Sequence, residues 1–266
     1  MSPGLDQIVR AARRKVEESR SSRDLRTLEK QAEEHTPRGF RRALQTKSEH
    51  GPAIIAELKK ASPSRGIIRA NFEAKKLAKE LEQAGAAALS VLTDEEFFQG
   101  SLENLQRASN CTHIPCLRKD FIVDEIQILE ARAHGADAIL LIVAALTQDE
   151  LGKFSRSARE YSMDVLTEVH DESELRRALD AGCDVIGVNS RDLRTFKVDL
   201  QTAFDLAAMI PKDVLRVAES GIQSGRDIGR LRDSGFQAFL IGESLMKAES
   251  PGDALRALLS ESGAPQ

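Results

Sequence analysis

What is scarce in this chain narrows it before any motif is read. Nowhere does it offer about 18 consecutive apolar residues, the length that a membrane-spanning helix needs. The N-terminal stretch "LDQIVRAARRKVEESR" is charged throughout and lacks the apolar centre of a secretory leader. The chain therefore reads as a soluble, cytoplasmic protein. Positive charge is not in excess: 38 Lys and Arg stand against 42 Asp and Glu, for a net charge of -4. That balance gives no overall basic field for nucleic acid or an anionic membrane, so any cationic site must be local. The three cysteines, Cys111, Cys116 and Cys183, are too few and too irregularly placed for a disulfide framework or a zinc site, and read as reduced, mostly buried thiols. No Gly-x-Gly-x-x-Gly follows the first apolar run, which counts against an open dinucleotide-binding sheet.

What the chain does have is a series. Short β-type runs begin at Ala53 ("AIIAEL"), Ala86 ("AAALSVL"), Ile114 ("IPCL"), Ala138 ("AILLIV"), Met163 ("MDVLTEV"), Asp184 ("DVIGVN"), Val214 ("VLRVAE") and Gln237 ("QAFLIG"). Their start-to-start intervals of 33, 28, 24, 25, 21, 30 and 23 residues each hold a strand, a loop, a helix and a loop, but no further domain. Between them, segments such as "FEAKKLAKELEQAG" and "ESELRRALDAGC" carry apolar residues at helical spacing and end on Gly, the usual helix stop. Runs this continuously apolar are strands covered on both faces, and eight β-α units in series predict a (β/α)8 barrel. Residues 1–48 lie outside the repeat and read as an N-terminal helical extension to a 49–266 barrel, within a single domain overall. Its simplest role is an added cap; the alternative is that it covers the mouth of a site, where its arginines help attract an anion.

In such a barrel the C-terminal strand ends converge on one pocket. Here they carry Glu57 and Lys59, then Lys119 and Phe121, Glu168, Asn189, Glu219 and Ser220, and Gly242. Burying so many ionisable groups near a barrel axis is costly unless each is paired, and a purely structural barrel has little reason to do it. Taken one at a time the residues are less eloquent. Glu57 and Lys59 share a strand face, so an inward salt bridge accounts for them as well as chemistry does. Lys119, beside Arg118 and Asp120, reads equally as a surface charge. Glu168 says more, because it interrupts the apolar "VLTEV" at an inward position. His170 reads as a satisfied loop residue rather than a base, and His113 as a loop residue. Arg191 either holds an anionic group or pairs locally with Asp192. "ESGIQSGRDIGRL" and "IGESLMKA" place small residues after the last two strands and then begin helices, which predicts free backbone N–H groups around an anion such as phosphate. Gly221 and Gly242 allow close approach, though glycine is also common there for steric reasons. Ser62 in "SPS" either adds a hydroxyl or is a turn residue before Pro63.

Six stretches in order, "IIAELKKASPSRG", "LRKDFIVDEIQI", "EVHDESEL", "GVNSRDL", "ESGI" and "IGESLM", closely resemble the successive motifs of the indole-3-glycerol-phosphate synthase family, with a likeness running from about Leu25 to the C-terminus. The resemblance implies decarboxylating, dehydrating ring closure of 1-(2-carboxyphenylamino)-1-deoxyribulose 5-phosphate, a small phosphorylated substrate, with no metal and no organic cofactor. It implies Lys119 as general acid and Lys59 at the substrate carboxylate or in later proton transfer. Glu168 would stabilise developing positive charge and act as base, Glu57 would tune the lysines, Asn189 would orient substrate, and Glu219 and Ser220 would complete the polar wall. Ser62, Gly221, Gly242 and Glu243 match the phosphate pocket, Glu243 through its backbone N–H with its carboxylate turned away, where some relatives carry a small residue. Phe98, Phe121 and Leu140 would pack the anthranilate ring, a task that falls to Phe in a chain without Trp. Arg191 is a further candidate substrate contact, and Lys60, of opposite parity, a bystander. Association with other enzymes of tryptophan synthesis is left open. The rivals are a Schiff-base aldolase using Lys59 or Lys119, the isomerase that acts on phosphoribosylanthranilate, and a silent barrel that only binds a phosphate metabolite.

Overall fold

Alternation along each strand decides the architecture. In β1 (Ala53–Leu58) every residue is buried, with Ile54, Ala56 and Leu58 in one apolar cluster and Ala53 and Ile55 in another. The first cluster lies between strands and helices, the second fills the inside of a closed ring. The computed structural model describes residues 4–20, 23–192 and 197–263. After β1 come a small hairpin, β2 (Ala61–Ser62) and β3 (Gly66–Ile67), and then seven more long strands. These are β4 (Ala88–Leu92), β5 (Cys116–Lys119), β6 (Ala138–Ile142), β7 (Asp164–Val169), β8 (Val185–Asn189), β9 (Leu215–Glu219) and β10 (Ala238–Ile241). With β1 they pair in parallel into a closed barrel, in the order β1-β10-β9-β8-β7-β6-β5-β4. This is the eight-stranded β/α barrel that the periodicity predicts. β5 starts later than "IPCL" suggests, because Pro115 has no N–H to give a ladder, while the Cys116 N–H is taken by the Asp137 carboxylate at 2.6 Å.

The outer layer is formed by α4 (Ala74–Gln83), α5 (Leu102–Ser109), α6 (Glu125–Ala133), α7 (Gln148–Glu160), α8 (Glu172–Asp180), α9 (Gln201–Ala207), α10 (Gly225–Asp233), α11 (Glu243–Lys247) and α12 (Pro251–Glu261). Several start on reciprocal caps: Asp124 with Gln127, Thr147 with Glu150, and Ser224 with Asp227. Each satisfies backbone N–H groups that a helix start leaves open. No described helix is long and apolar enough to cross a membrane.

Three helices precede the barrel: α1 (Leu5–Ser19), α2 (Leu25–Glu34) and α3 (Phe40–Ser48). They run from one end of it to the other. Near the strands' C-terminal ends, α1 holds Arg13 against Glu150 at 2.9 Å and Lys15 against Glu95 at 2.8 Å, both exposed pairs. α2 packs Leu28 and Ala32 on Ile126, Leu129 and Ala133 of α6. α3 closes the opposite end, where Phe40 and Leu44, fully buried, join Ala53, Leu117, Val185 and Leu215 inside the barrel. Between α2 and α3, Arg38 reaches Asp137, which has no exposed surface, with its Nη2 at 2.6 Å and its backbone N–H at 2.7 Å. His35 Nε2 lies 3.1 Å from the same carboxylate. Burial opposes the charge on Asp137, but these donors outweigh it and hold the acid below its usual range.

Candidate active site

The inward positions of the barrel change character in their last layer. β6 still points Leu140 and Ile142 inward, whereas its neighbours end on Lys119 (β5) and Glu168 (β7), followed by Asn189 (β8) and Glu219 (β9). Glu57 closes the ring from β1. Above this layer opens a cleft of about 710 Å³. It is lined by Glu57, Lys59, Lys119, Glu168, Asn189, Arg191, Glu219, Ser220, Gly221, Gly242 and Glu243 on its polar sides, and by Phe98, Phe121 and Leu140 on its apolar side. Ser62 is placed differently. It lies in an adjoining recess of about 100 Å³ that Lys59, Phe98, Phe121, Arg191 and Glu243 also line, because the β2–β3 hairpin folds back on itself beside the cleft. Leu5 and Ile8 of α1 line that recess too, so the extension reaches the mouth of the site instead of serving only as a cap.

Lys119 is the centre of the electrostatics. Its Nζ stands 3.0 Å from Glu168 Oε2 and 3.5 Å from Glu219 Oε2. Burial works against the ammonium, yet Glu168, Glu219 and Glu57 outweigh it and hold the lysine far above its ordinary range. The two carboxylates then divide. Burial penalises the ionised Glu168, but Lys119, His170 and Asn189 favour it and carry it below the usual carboxylate range. Burial also penalises Glu219. Lys119 opposes that shift, but the Glu168 charge adds to it, and Glu219 rises to about 8. One cation shared by two buried carboxylates thus leaves one ionised and the other protonated near neutrality. Among the described residues, Glu219 Oε1 has no hydrogen-bond partner. Glu57 takes the other lysine, with Lys59 Nζ against its Oε1. The salt bridge read from parity is therefore present, and it faces the cleft.

Two glycines lie directly against these carboxylates. A Cβ on Gly187 would stand 2.1 Å from Glu219 Oε1, and one on Gly242 would stand 2.4 Å from Glu57 Oε1. Gly242 thus clears the Glu57 side chain, a constraint independent of any anion. Ser220 and Gly221 both adopt left-handed backbone, with φ of 64° and 80°. For Ser220 this is a strained conformation at the edge of the cleft.

Other expectations need amendment. Helix α10 does not begin directly after its strand: it starts at Gly225, and the Ser224–Asp227 capping box already occupies its end. Backbone donors for an anion are therefore sought in Ser220–Gly221 and in α11, which follows β10 at once from an N-cap, Gly242, without a side-chain cap. The Glu243 carboxylate is turned to Lys247 at 2.6 Å, Arg65 at 3.1 Å and Arg191 at 3.7 Å, so it sits among the rim cations. Arg118 and Asp120 are not surface charges around Lys119. Both are buried and paired at 2.8 Å, with Arg118 also donating to Gln127 O at 2.6 Å. Asp120, Arg65 and Lys247 line the cleft and escaped the sequence reading: Asp120 looks like an ordinary partner of the adjacent Lys119, while Arg65 and Lys247 lie in a turn and a helix past their strand ends. His170 also differs. Glu174 does satisfy it, yet its other nitrogen faces Glu168 at 3.4 Å. Lys60 stays outside the cleft, its carbonyl accepting from Ile68 and Arg69.

Comparison with known proteins adds an independent line. The family model described as "Indole-3-glycerol phosphate synthase" matches residues 5–258. The chain is 60% identical over 259 residues to the indole-3-glycerol phosphate synthase of Koribacter versatilis, covering 97% of this chain and all of that protein. It is 49% identical over 242 residues to the enzyme of the same name from Acinetobacter baumannii, covering 90% of this chain and 89% of that one. Among solved structures, a thiamine phosphate pyrophosphorylase from Pyrococcus furiosus superposes with a TM-score of 0.61 at 16% identity, over 82% of this chain and 98% of its own. A protein titled KGPDC from Streptococcus mutans gives 0.62 at 13%, over 79% and 96%. At these identities the structural likeness speaks for the barrel alone.

Proposed function

The chain belongs to the indole-3-glycerol phosphate synthase family and is a decarboxylating lyase of tryptophan biosynthesis, and we propose that its cleft closes the indole ring of 1-(2-carboxyphenylamino)-1-deoxyribulose 5-phosphate with Lys119 as the general acid. The observation that carries this reading is the placement of Lys119 between Glu168 and Glu219, at 3.0 and 3.5 Å, on the floor of a cleft with Phe98 and Phe121 on its wall. The two phenyl rings stand 6.2 Å apart between centroids and form an apolar surface on which an anthranilate ring can pack.

Ring closure joins the carboxyl-bearing aromatic carbon to the ketone carbon. The carbonyl oxygen becomes an alkoxide far more basic than an amine, and Lys119 supplies its proton. Glu168 and Glu57 keep that proton on the lysine until such an acceptor appears. Glu168, ionised and held by Asn189 Nδ2 at 3.1 Å, stabilises positive charge that develops on the ring system. Carbon dioxide then leaves and the ring regains aromaticity. Loss of the new hydroxyl as water requires an acid at oxygen and a base at the adjacent carbon. Glu219, protonated near neutrality, and Glu168, ionised, are one such pair. Lys59, tuned by Glu57, faces the substrate carboxylate, and Arg191 is a second cation on that side. Gly221, Gly242 and the Glu243 N–H, with Ser62 and Ser220, form the phosphate grip. Residues 1–48 are assigned as a helical extension to the 49–266 catalytic barrel. The test is to add the carboxyphenylamino ribulose phosphate to purified protein and follow indole fluorescence. Cofactor-free indole formation supports the reading, and none from folded wild-type protein overturns it.

A further inference from the structure

Beside Glu168 lies a residue that nothing in the reaction above uses. His170 follows Glu168 at the next inward-facing position, just beyond the end of β7. It is not among the residues that line the cleft. Its environment is nevertheless built. Glu174, in the first turn of α8, accepts the His170 backbone N–H at 2.8 Å and faces Nδ1 at 3.0 Å through the same oxygen. Asp171 caps that turn by accepting the Glu174 N–H at 2.9 Å, which fixes the carboxylate that fixes the ring. A carboxylate at Nδ1 requires that nitrogen to carry its proton. Nε2 then points at Glu168 Oε1, 3.4 Å away, at ion-pair distance though not aligned as a hydrogen bond.

We propose that His170 is a positioning residue for the reaction: an imidazolium, anchored by Glu174, that keeps Glu168 ionised and in place when Lys119 turns to the substrate. The proposal rests on the reading of Glu168 given above. Its physical basis is the inventory of charges around that carboxylate. Among the described residues, Lys119 from β5 and His170 just beyond β7 are its cations, Asn189 from β8 is a neutral donor, and Glu219 from β9 is a second buried acid that competes for the Lys119 ammonium. Facing His170 itself are Glu168 and Glu174. If Lys119 were the sole cation, giving up its proton would leave Glu168 buried with no counter-charge beside Glu219, and Glu168 would take up the proton it is meant to abstract. A second cation outside the cleft prevents this. Burial opposes charge on the imidazole, but the two carboxylates prevail and lift it to about 10, so it stays protonated through the neutral range.

The experiment is a pH profile of kcat and kcat/KM for His170→Gln and Glu174→Gln beside wild type and Glu168→Gln, with thermal melts to establish folding. In His170→Gln the acid limb should move up by about one pH unit, with kcat about ten-fold lower than wild type at pH values below the limb, KM within about two-fold, and activity recovering toward wild type as pH rises. Glu174→Gln should move the limb in the same direction by less. A role in packing alone would lower activity at every pH without moving the limb. Coincident limbs in all three active proteins overturn the proposal while leaving the Glu168 reading intact, provided Glu168→Gln has lost turnover. Full activity in Glu168→Gln overturns both. Should His170→Gln not fold, Glu174→Gln alone decides by the same criterion.

Discussion

The two ends of the barrel bury the same chemistry for opposite purposes. At the base, Asp137 is surrounded by donors from Arg38, His35 and Cys116, and Phe40 and Leu44 seal the opening beside it. At the mouth, Lys119 is divided between two carboxylates, Glu219 keeps an oxygen without a partner, and a cleft stands open above. A fully satisfied buried ion pair locks structure, whereas an under-satisfied one retains protons and charges that substrate can engage. The extension follows the same division: α3 is held at the base by a buried pair, and α1 near the mouth by exposed ones.

Substitutions that respect this division should separate activity from stability. The largest effect is expected from Lys119→Met, which should lower kcat/KM by about 10³-fold. The melting temperature should move by less than about 5 °C, since Glu168 keeps His170 and Asn189 as partners and Glu219 is protonated, so no carboxylate is left without one. Steady-state kinetics and a thermal melt on one preparation check both halves. Arg38→Met should do the reverse. It strands Asp137, costs about 3–5 kcal/mol in urea unfolding, and leaves the kcat/KM of the folded protein at the wild-type value. If Arg38→Met instead lost activity at unchanged stability, the contrast between the ends would collapse.

A smaller effect tests the mouth alone. The folded-state value of Glu219, about 8, lies above the ordinary 4.5, so the native protein holds this proton more tightly than the unfolded chain. Stability from this group is therefore present at low pH and lost as pH rises through that window. Glu219→Gln cannot ionise, so its melting temperature should gain on wild type between pH 5 and pH 8; parallel melts at the two values read the difference. Asp137, with its depressed value, predicts the opposite dependence at the base: its contribution persists at neutral pH and fades only as pH falls into the acid range. The smallest effect belongs to α1. Because its pairs to Glu150 and Glu95 are exposed, Arg13→Ala with Lys15→Ala should cost about 1 kcal/mol or less. Any increase in KM should be no greater than that produced by raising salt.

Much of the site was legible because strand alternation carries it. Glu57 and Lys59 share parity with Ile55, and Glu168 with Leu166, so their inward direction follows from local geometry once the runs are read as strands. Family motifs pointed to the cleft residues around them. Ser62 went to the side recess because a hairpin turned it, and α10 was misplaced because the Ser224–Asp227 cap starts the helix later than the small residues suggest. Lys119 reads equally as a surface charge because Arg118 and Asp120 flank it with opposite charges, as is ordinary on a surface. Only burial distinguishes this pair, and burial comes from α6 packing over it.

The sequence by itself thus determined the number of barrel strands, the face their residues take, and the presence of a charged layer at one end. Period, alternation and helix-stop chemistry are local, acting over a few residues. Barrel closure decided the rest. Lys119 meets Glu168 across 49 positions, Arg38 meets Asp137 across 99, and Arg13 meets Glu150 across 137. No local pattern encodes such distances. Which of two identical carboxylates keeps its proton depends on how many cations the closed ring brings to each, and His170 reaches Glu168 only because α8 holds its ring in place.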